Sequence, residues 1–177
     1  MSDMLRELSS PKKIQDFLNQ TPKSVHCLEG ALFAALALWY HGEKPLLMDL
    51  ASTPYDYDHV VALFRKHGHW GAISKTHHAV LRYREPVYQS VRELAMSYFH
   101  EYFLDDGVKT LRSYSDPVDL SKIKDRSWIT AKKNLGNLVD LLNAAPHHKI
   151  LDRRMISGLR KADSIERTAG KLKEWTT

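Results

Sequence analysis

Residues 24–42, SVHCLEGALFAALALWYHG, are the stretch that decides the fold of this chain. Apart from Glu29, the segment that follows Cys27 is apolar almost all the way round, which predicts a helix buried on most of its sides. Ser24 is a suitable N-cap, and Gly42 is a suitable left-handed stop for the last turn. We expect this helix to form the centre of the core.

Cys27 is the only cysteine of the chain and would occupy the third position of this helix. Unpaired N–H groups and the positive end of the helix dipole favour a thiolate there, so Cys27 is a candidate nucleophile. A single cysteine cannot form an internal disulfide, which is typical of proteins from a reducing compartment. A lone cysteine among alanine and leucine can also be a small buried apolar residue, and this alternative stays open.

Length and composition predict one domain with an extension. The chain has 177 residues, of which 43% are hydrophobic, enough for one core. No apolar run approaches about 20 residues and no signal peptide is recognisable, so we expect a cytoplasmic protein without membrane contact. The net charge of +5 comes from residues 121–177, which carry 13 Lys+Arg against 6 Asp+Glu. Because these charges alternate with apolar residues, solvated helix faces are favoured over nucleic-acid binding.

Two strand-like segments, HVVALFR and HWGAISK, are joined by His67-Gly68, a suitable two-residue hairpin turn. In the register that this turn imposes, side chains alternate between the two faces of the hairpin. His59 and Ser74 then share one face, and Thr76 lies directly opposite His59.

The remaining segments complete an α+β pattern. We predict a helix after Pro11, a strand in PLLMDL, a helix from Pro86 to residue 103, a strand in VKTLRSYS, and helices over 128–142, 155–159 and 165–175. The Cys-bearing helix should pack on a small antiparallel sheet. Residues 1–120 would form this core, and residues 121–177 a basic helical extension that packs on it through its apolar side chains.

Three segments carry a family likeness, which extends as far as residue 75: CLEGALFAALALWYHGEKPLLMDL, DHVVALF and GHWGAI. Their order resembles the transglutaminase-like branch of the papain-like cysteine superfamily. From RYREPVYQSVRELAMSYF onward the chain is similar to a bacterial transglutaminase-like group without an assigned substrate. The resemblance implies that Cys27 is the nucleophile and His59 the general base. The third member in the family is an aspartate, and the same spacing reaches Ser74 here.

The group that would orient the imidazole therefore has three candidates. Ser74 is the first, since it lies diagonal to His59 in the hairpin and at the family position. Thr76 is the second. Asp49 is the third, because its carboxylate would stabilise an imidazolium better than a hydroxyl does, if its strand neighbours the His59 strand.

Two functions follow from these residues. The first is a thiol hydrolase or acyltransferase that acts on an amide or thioester of a peptide or protein, through a Cys27 thioacyl intermediate with His59 as base and Ser74 as orienting group. The alternative is a catalytically silent relative that binds a peptide or protein partner. The ten histidines lack metal-ligand spacing and the eight glycines do not cluster, so neither a metal nor another cofactor is predicted.

Overall fold

The computed structural model describes residues 27–74, 76, 78–129 and 135–173. Within this part of the chain, strands form one antiparallel sheet of an α+β fold, which confirms the predicted class. The strands are β1 (Leu46–Ala51), β2 (His59–Lys66), β3 (His69–Ile73), β4 (Arg84–Tyr88), β5 (Ser113–Ser115), β6 (Val118–Asp119) and β7 (His147–Lys149). Their spatial order is β4-β3-β2-β1-β5-β7, and β6 pairs with β1.

The helices lie on both faces of this sheet. They are α1 (Cys27–Tyr40), α2 (Val91–Ser97), α3 (Gly136–Ala144), α4 (Arg153–Ser157) and α5 (Ser164–Gly170), together with 3₁₀ helices at Phe99–Glu101, Leu120–Lys122 and Ser127–Ile129. As predicted, α1 packs on the sheet, mainly on β2, and Gly42 follows it with a φ of +90°. In the described residues, no helix is both long enough and apolar enough to cross a membrane.

Strand alternation divides the core into two layers. On one face, α1 packs against residues of β1 and β2 and against the chain after β6; this layer includes Ala31, Ala35, Leu47, Val60, Ala62, Leu120 and Trp128. On the other face, α2 and the residues that follow it cover Met48, Leu50, Val61, Leu63 and Ala72. The central strands of the sheet are therefore buried between two helical layers.

The β2–β3 hairpin has the predicted register. Leu63 pairs with Ala72, and the two turn residues adopt φ values of +52° at His67 and +83° at Gly68. A two-residue turn with both φ values positive matches the right-handed twist of the strands, which is why its chemistry fixes the pairing.

The helix predicted from Pro86 is wrong at both ends, since α2 ends at Ser97 and only a separate 3₁₀ turn follows it. Pro86 lies in β4, at the end of the strand order, where its missing N–H costs no ladder bond on the open side. The helix begins only after Ser90, whose side chain accepts a hydrogen bond from the Glu93 N–H and caps it. The predicted strand VKTLRSYS is also shorter, since only Ser113–Ser115 pair as a strand.

The extension after residue 120 is less uniformly helical than predicted, because β7 adds a strand to the sheet beside β5. Leu138 and Leu142 are buried as expected, whereas Met155 and Ile156 are exposed. Ser24, the helix after Pro11 and the end of the last predicted helix lie outside the described residues.

We expect Gly71→Ala to destabilise the protein by about 1–3 kcal/mol, because it overpacks the contacts of β3 with β2 and β4. A Cβ at Gly71 would lie 2.6 Å from the Phe64 ring and 2.9 Å from the Arg84 carbonyl oxygen. Urea unfolding measures the change. Gly158→Ala is the matched control, since its Cβ would lie 3.7 Å from the nearest atom. Equal losses in the two variants would contradict this explanation.

Candidate active site

A cleft of about 350 Å³ opens beside the first residue of β2. Cys27, at the start of α1, and His59, at the start of β2, both line this cleft. Leu81 and the last turn of α5 contribute to the lining as well. The two residues that the resemblance implies for catalysis thus reach one cleft from two different elements.

His59 and Ser74 are in contact, as the hairpin register predicted. The distance from His59 Nε2 to Ser74 Oγ is 2.7 Å, and Ser74 Oγ donates to the Leu81 carbonyl oxygen at 2.6 Å. A serine hydroxyl has one hydrogen, and a carbonyl oxygen can only accept. Ser74 must therefore accept from His59 Nε2–H, which assigns the proton of the neutral imidazole to Nε2 and leaves a lone pair on Nδ1.

Leu81 holds the end of this hydrogen-bond chain in an unusual backbone conformation. Its φ is +57°, in the left-handed region that is costly for a leucine. The Leu81 N–H donates to Glu101 Oε2 at 2.9 Å, and the same oxygen lies 2.6 Å from an Arg84 nitrogen. These polar contacts hold the strained residue in place, so that its carbonyl meets Ser74.

The imidazole of His59 is nearly inaccessible to solvent, with 5% of the residue exposed, and lies edge-on to the Tyr98 ring. Burial disfavours the charged form and lowers the pKa of His59 to about 4, even though the Leu81 carbonyl favours protonation. The Arg84 guanidinium lowers this pKa further. At neutral pH His59 is therefore uncharged and can accept a proton.

Cys27 is half-buried, and its thiol lies 3.9 Å from the Asp58 carbonyl oxygen, to which it donates. Burial raises the pKa of the Cys27 thiol; the backbone N–H groups of Val60 and Leu28 oppose this rise without cancelling it, and Asp49 adds to it. The expectation that the helix start stabilises a thiolate is wrong, because desolvation outweighs the helix N–H groups. Burial thus favours the neutral form of both the Cys27 thiol and the His59 imidazole.

The two groups reach the cleft from opposite faces of the sheet. His59 points to the face covered by α2, whereas α1 packs on the other face, against Val60 and Ala62. The hydrogen bond of the Cys27 thiol accordingly goes to Asp58 and not to the imidazole. The structure thus brings His59 and Ser74 into direct contact, and Cys27 into the same cleft.

The other two candidates for the orienting group do not contact His59. Asp49 lies on the α1 face of β1 and forms a pair with His147, with Oδ2 and Nε2 3.2 Å apart. Thr76 Oγ1 lies 2.9 Å from the carbonyl oxygens of His78 and Val80. Of the three candidates, only Ser74 contacts the imidazole.

Compared with known proteins, the chain matches no family model, and no curated protein is significantly similar to it. The residues of the cleft are therefore the basis for a functional proposal. Among the described residues, no group of three histidine, cysteine, aspartate or glutamate side chains is arranged to hold a metal ion.

Sequence reasoning missed the supporting residues of the site. Leu81 and Glu101 act through a backbone conformation and a contact between distant segments, neither of which has a local sequence signal. The contribution of α5 to the cleft was missed for the same reason.

Proposed function

We propose that the protein is a cytoplasmic, transglutaminase-like thiol hydrolase or acyltransferase whose substrate is an amide or thioester of a peptide or protein. One observation carries the proposal: the hydrogen-bond chain from His59 through Ser74 to Leu81. It leaves the Nδ1 lone pair of the imidazole to act as the base, and His59 and Cys27 line the same cleft.

The reaction divides into two acyl transfers. Cys27 Sγ attacks the substrate carbonyl carbon while its proton passes to His59 Nδ1, and the imidazolium then protonates the departing amine or thiolate. The product of this half-reaction is a Cys27 thioester. In the second half His59 takes a proton from water or from an acceptor amine, which attacks the thioester and releases Cys27.

Ser74 and Leu81 stabilise the His59 imidazolium that forms in each half-reaction. The Nε2–H of His59 continues to donate to Ser74, whose own hydrogen remains on the Leu81 carbonyl. The raised thiol pKa and the lowered imidazole pKa disfavour a preformed thiolate–imidazolium pair. Proton transfer therefore accompanies attack on a bound carbonyl, and the free enzyme remains unreactive until substrate enters the cleft.

The catalytically silent, partner-binding alternative is favoured by one observation. The imidazole contacts a hydroxyl where a carboxylate would stabilise its charged form better. This alternative predicts an inert thiol in the folded protein.

Acylation of Cys27 tests the proposal directly. We expect p-nitrophenyl acetate, or a short acyl thioester, to transfer one acyl group to the Cys27-containing peptide of the folded protein, because His59 accepts the thiol proton during attack. Mass spectrometry of the digested protein locates the acyl group. Cys27→Ser is the control for acylation elsewhere in the chain. If Cys27 is acylated only after unfolding, the silent alternative is correct.

A further inference from the structure

Arg167 brings a positive charge into the cleft from the C-terminal part of the chain. It lies on α5 and lines the same cleft as Cys27 and His59. Its Nε atom is buried and has no hydrogen-bond partner among the described residues. A guanidinium is always charged and its N–H groups can only donate, so the Nε–H of Arg167 is a donor in the wall of the cleft that still needs an acceptor.

The position of Arg167 is fixed from several sides. A capping box between Asp163 and Glu166 defines the start of α5. Before the helix, the Ala162 N–H donates to the Gly107 carbonyl at 2.8 Å, and a Cβ at Gly107 would lie 3.3 Å from Arg167 Cδ. The stem of Arg167 thus packs closely on this turn.

The end of α5 is tied to the segment that carries the imidazole support. His78 Nδ1 lies 2.9 Å from the Gly170 carbonyl oxygen, and the Ala79 N–H donates to the Leu172 carbonyl at 2.9 Å. Because Leu81 follows in the same segment, the placement of Arg167 is coupled to that of the catalytic groups.

The acidic residues around the cleft already have other partners. Asp56 accepts from Thr110, Asp58 from Ser52, Glu101 from Arg84, Asp106 from Lys161 and Glu166 from Arg160. Asp105 lies 4.0 Å from Lys171. Within the described residues, the Nε–H of Arg167 is therefore a buried donor in this cleft that lacks an acceptor.

We propose that Arg167 binds a carboxylate of the acyl-donor substrate, which makes the substrates of this cleft carboxylate-bearing peptides or acyl compounds. The inference rests on the function proposed above. An arginine fork binds a carboxylate through two parallel hydrogen bonds. A phosphate dianion offers the same oxygen geometry, but Asp56, Asp58 and Asp105 line the cleft and repel a double charge more strongly than a single one.

Alkylation of Cys27 tests this anchor without requiring turnover. The probes are N-iodoacetyl derivatives of glycine, β-alanine and γ-aminobutyrate, each paired with its neutral carboxamide and calibrated against glutathione. For at least one spacing, we expect the carboxylate probe to react with saturation and faster than its carboxamide by on the order of tenfold, the effect of one charge-assisted hydrogen bond. The rates are followed by intact-protein mass spectrometry.

Variants separate the anchor from general charge effects. Arg167→Gln should bring the carboxylate and carboxamide probes to equal rates, and Arg167→Lys should restore only part of the carboxylate preference, because the fork is lost. Arg92→Gln removes the same charge from the exposed surface of α2 and should change neither rate. Melting temperatures identify any variant that fails to fold. If Arg167→Gln fails to fold, the carboxylate preference of Arg167→Lys tests the anchor.

Competition distinguishes the two anion sources. Succinate should slow alkylation by the carboxylate probe more than inorganic phosphate does at equal concentration. Stronger protection by phosphate would overturn the carboxylate assignment. Equal rates for the carboxylate and carboxamide probes in the wild-type protein would refute the anchor, whereas the proposed function fails only if Cys27 is not acylated.

Discussion

Replacing His59 by glutamine should lower the rate of Cys27 acylation by roughly 10²- to 10⁴-fold, the usual contribution of a general base. Glutamine can still donate to Ser74 Oγ, but its amide offers no basic lone pair where Nδ1 lies. The burst of p-nitrophenolate from p-nitrophenyl acetate measures the rate.

The rate of Cys27 acylation in the wild-type protein should remain constant as the pH falls from neutral and decrease only near pH 4, because the pKa of His59 is about 4.

Ser74→Ala is the matched control for this substitution. It keeps the imidazole but removes the acceptor of Nε2–H, so the base remains while its tautomer is no longer fixed. We expect a smaller loss than for His59→Gln. Equal rates in His59→Gln and the wild type would exclude His59 as the base, even if Cys27 remains the acylated residue.

Acid should destabilise the folded protein through the same imidazole. The pKa of His59 falls from 6.5, its ordinary value, to about 4 in the folded state, because burial disfavours the charge. Between these two pH values the unfolded chain binds the proton and the folded chain does not. The free energy of unfolding should therefore decrease by about 3 kcal/mol as the pH is lowered from 6.5 to 4. Urea titrations across this range measure the loss.

His59→Gln isolates this contribution, since glutamine does not titrate. Its free energy of unfolding should depend less steeply on pH than that of the wild type over the same range. The burial of Asp49, which raises the pKa of its carboxyl, acts in the opposite sense and is common to both proteins. Parallel pH profiles for the two proteins would show that the imidazole is accessible to protons without unfolding.

The hairpin that carries His59 and Ser74 could be predicted because its determinants are local. The two-residue turn at His67-Gly68 fixes the register, and alternation then fixes the shared face. The error at Pro86 has a local cause as well: a helical pattern of apolar residues began within a strand whose open edge tolerates proline.

The electrostatics of the cleft could not be predicted in this way. The helix start favours a Cys27 thiolate, but the burial that outweighs this effect comes from packing between segments distant in sequence. Arg167 lies far along the chain from Cys27 and carries no local motif. Its place in the cleft depends on the contacts of α5 with two loops, which only the three-dimensional structure reveals.

The dependence of the cleft on α5 has a consequence for biosynthesis. Because the chain is synthesised from its N-terminus, the Cys27 helix and the β2–β3 hairpin leave the ribosome well before Arg167 and the residues around it. Until α5 docks beside residues 78–81, the cleft is incomplete on that side. A nascent chain would thus carry the thiol and the imidazole before the arginine joins them, and the cleft would be complete only after α5 has left the ribosome and docked.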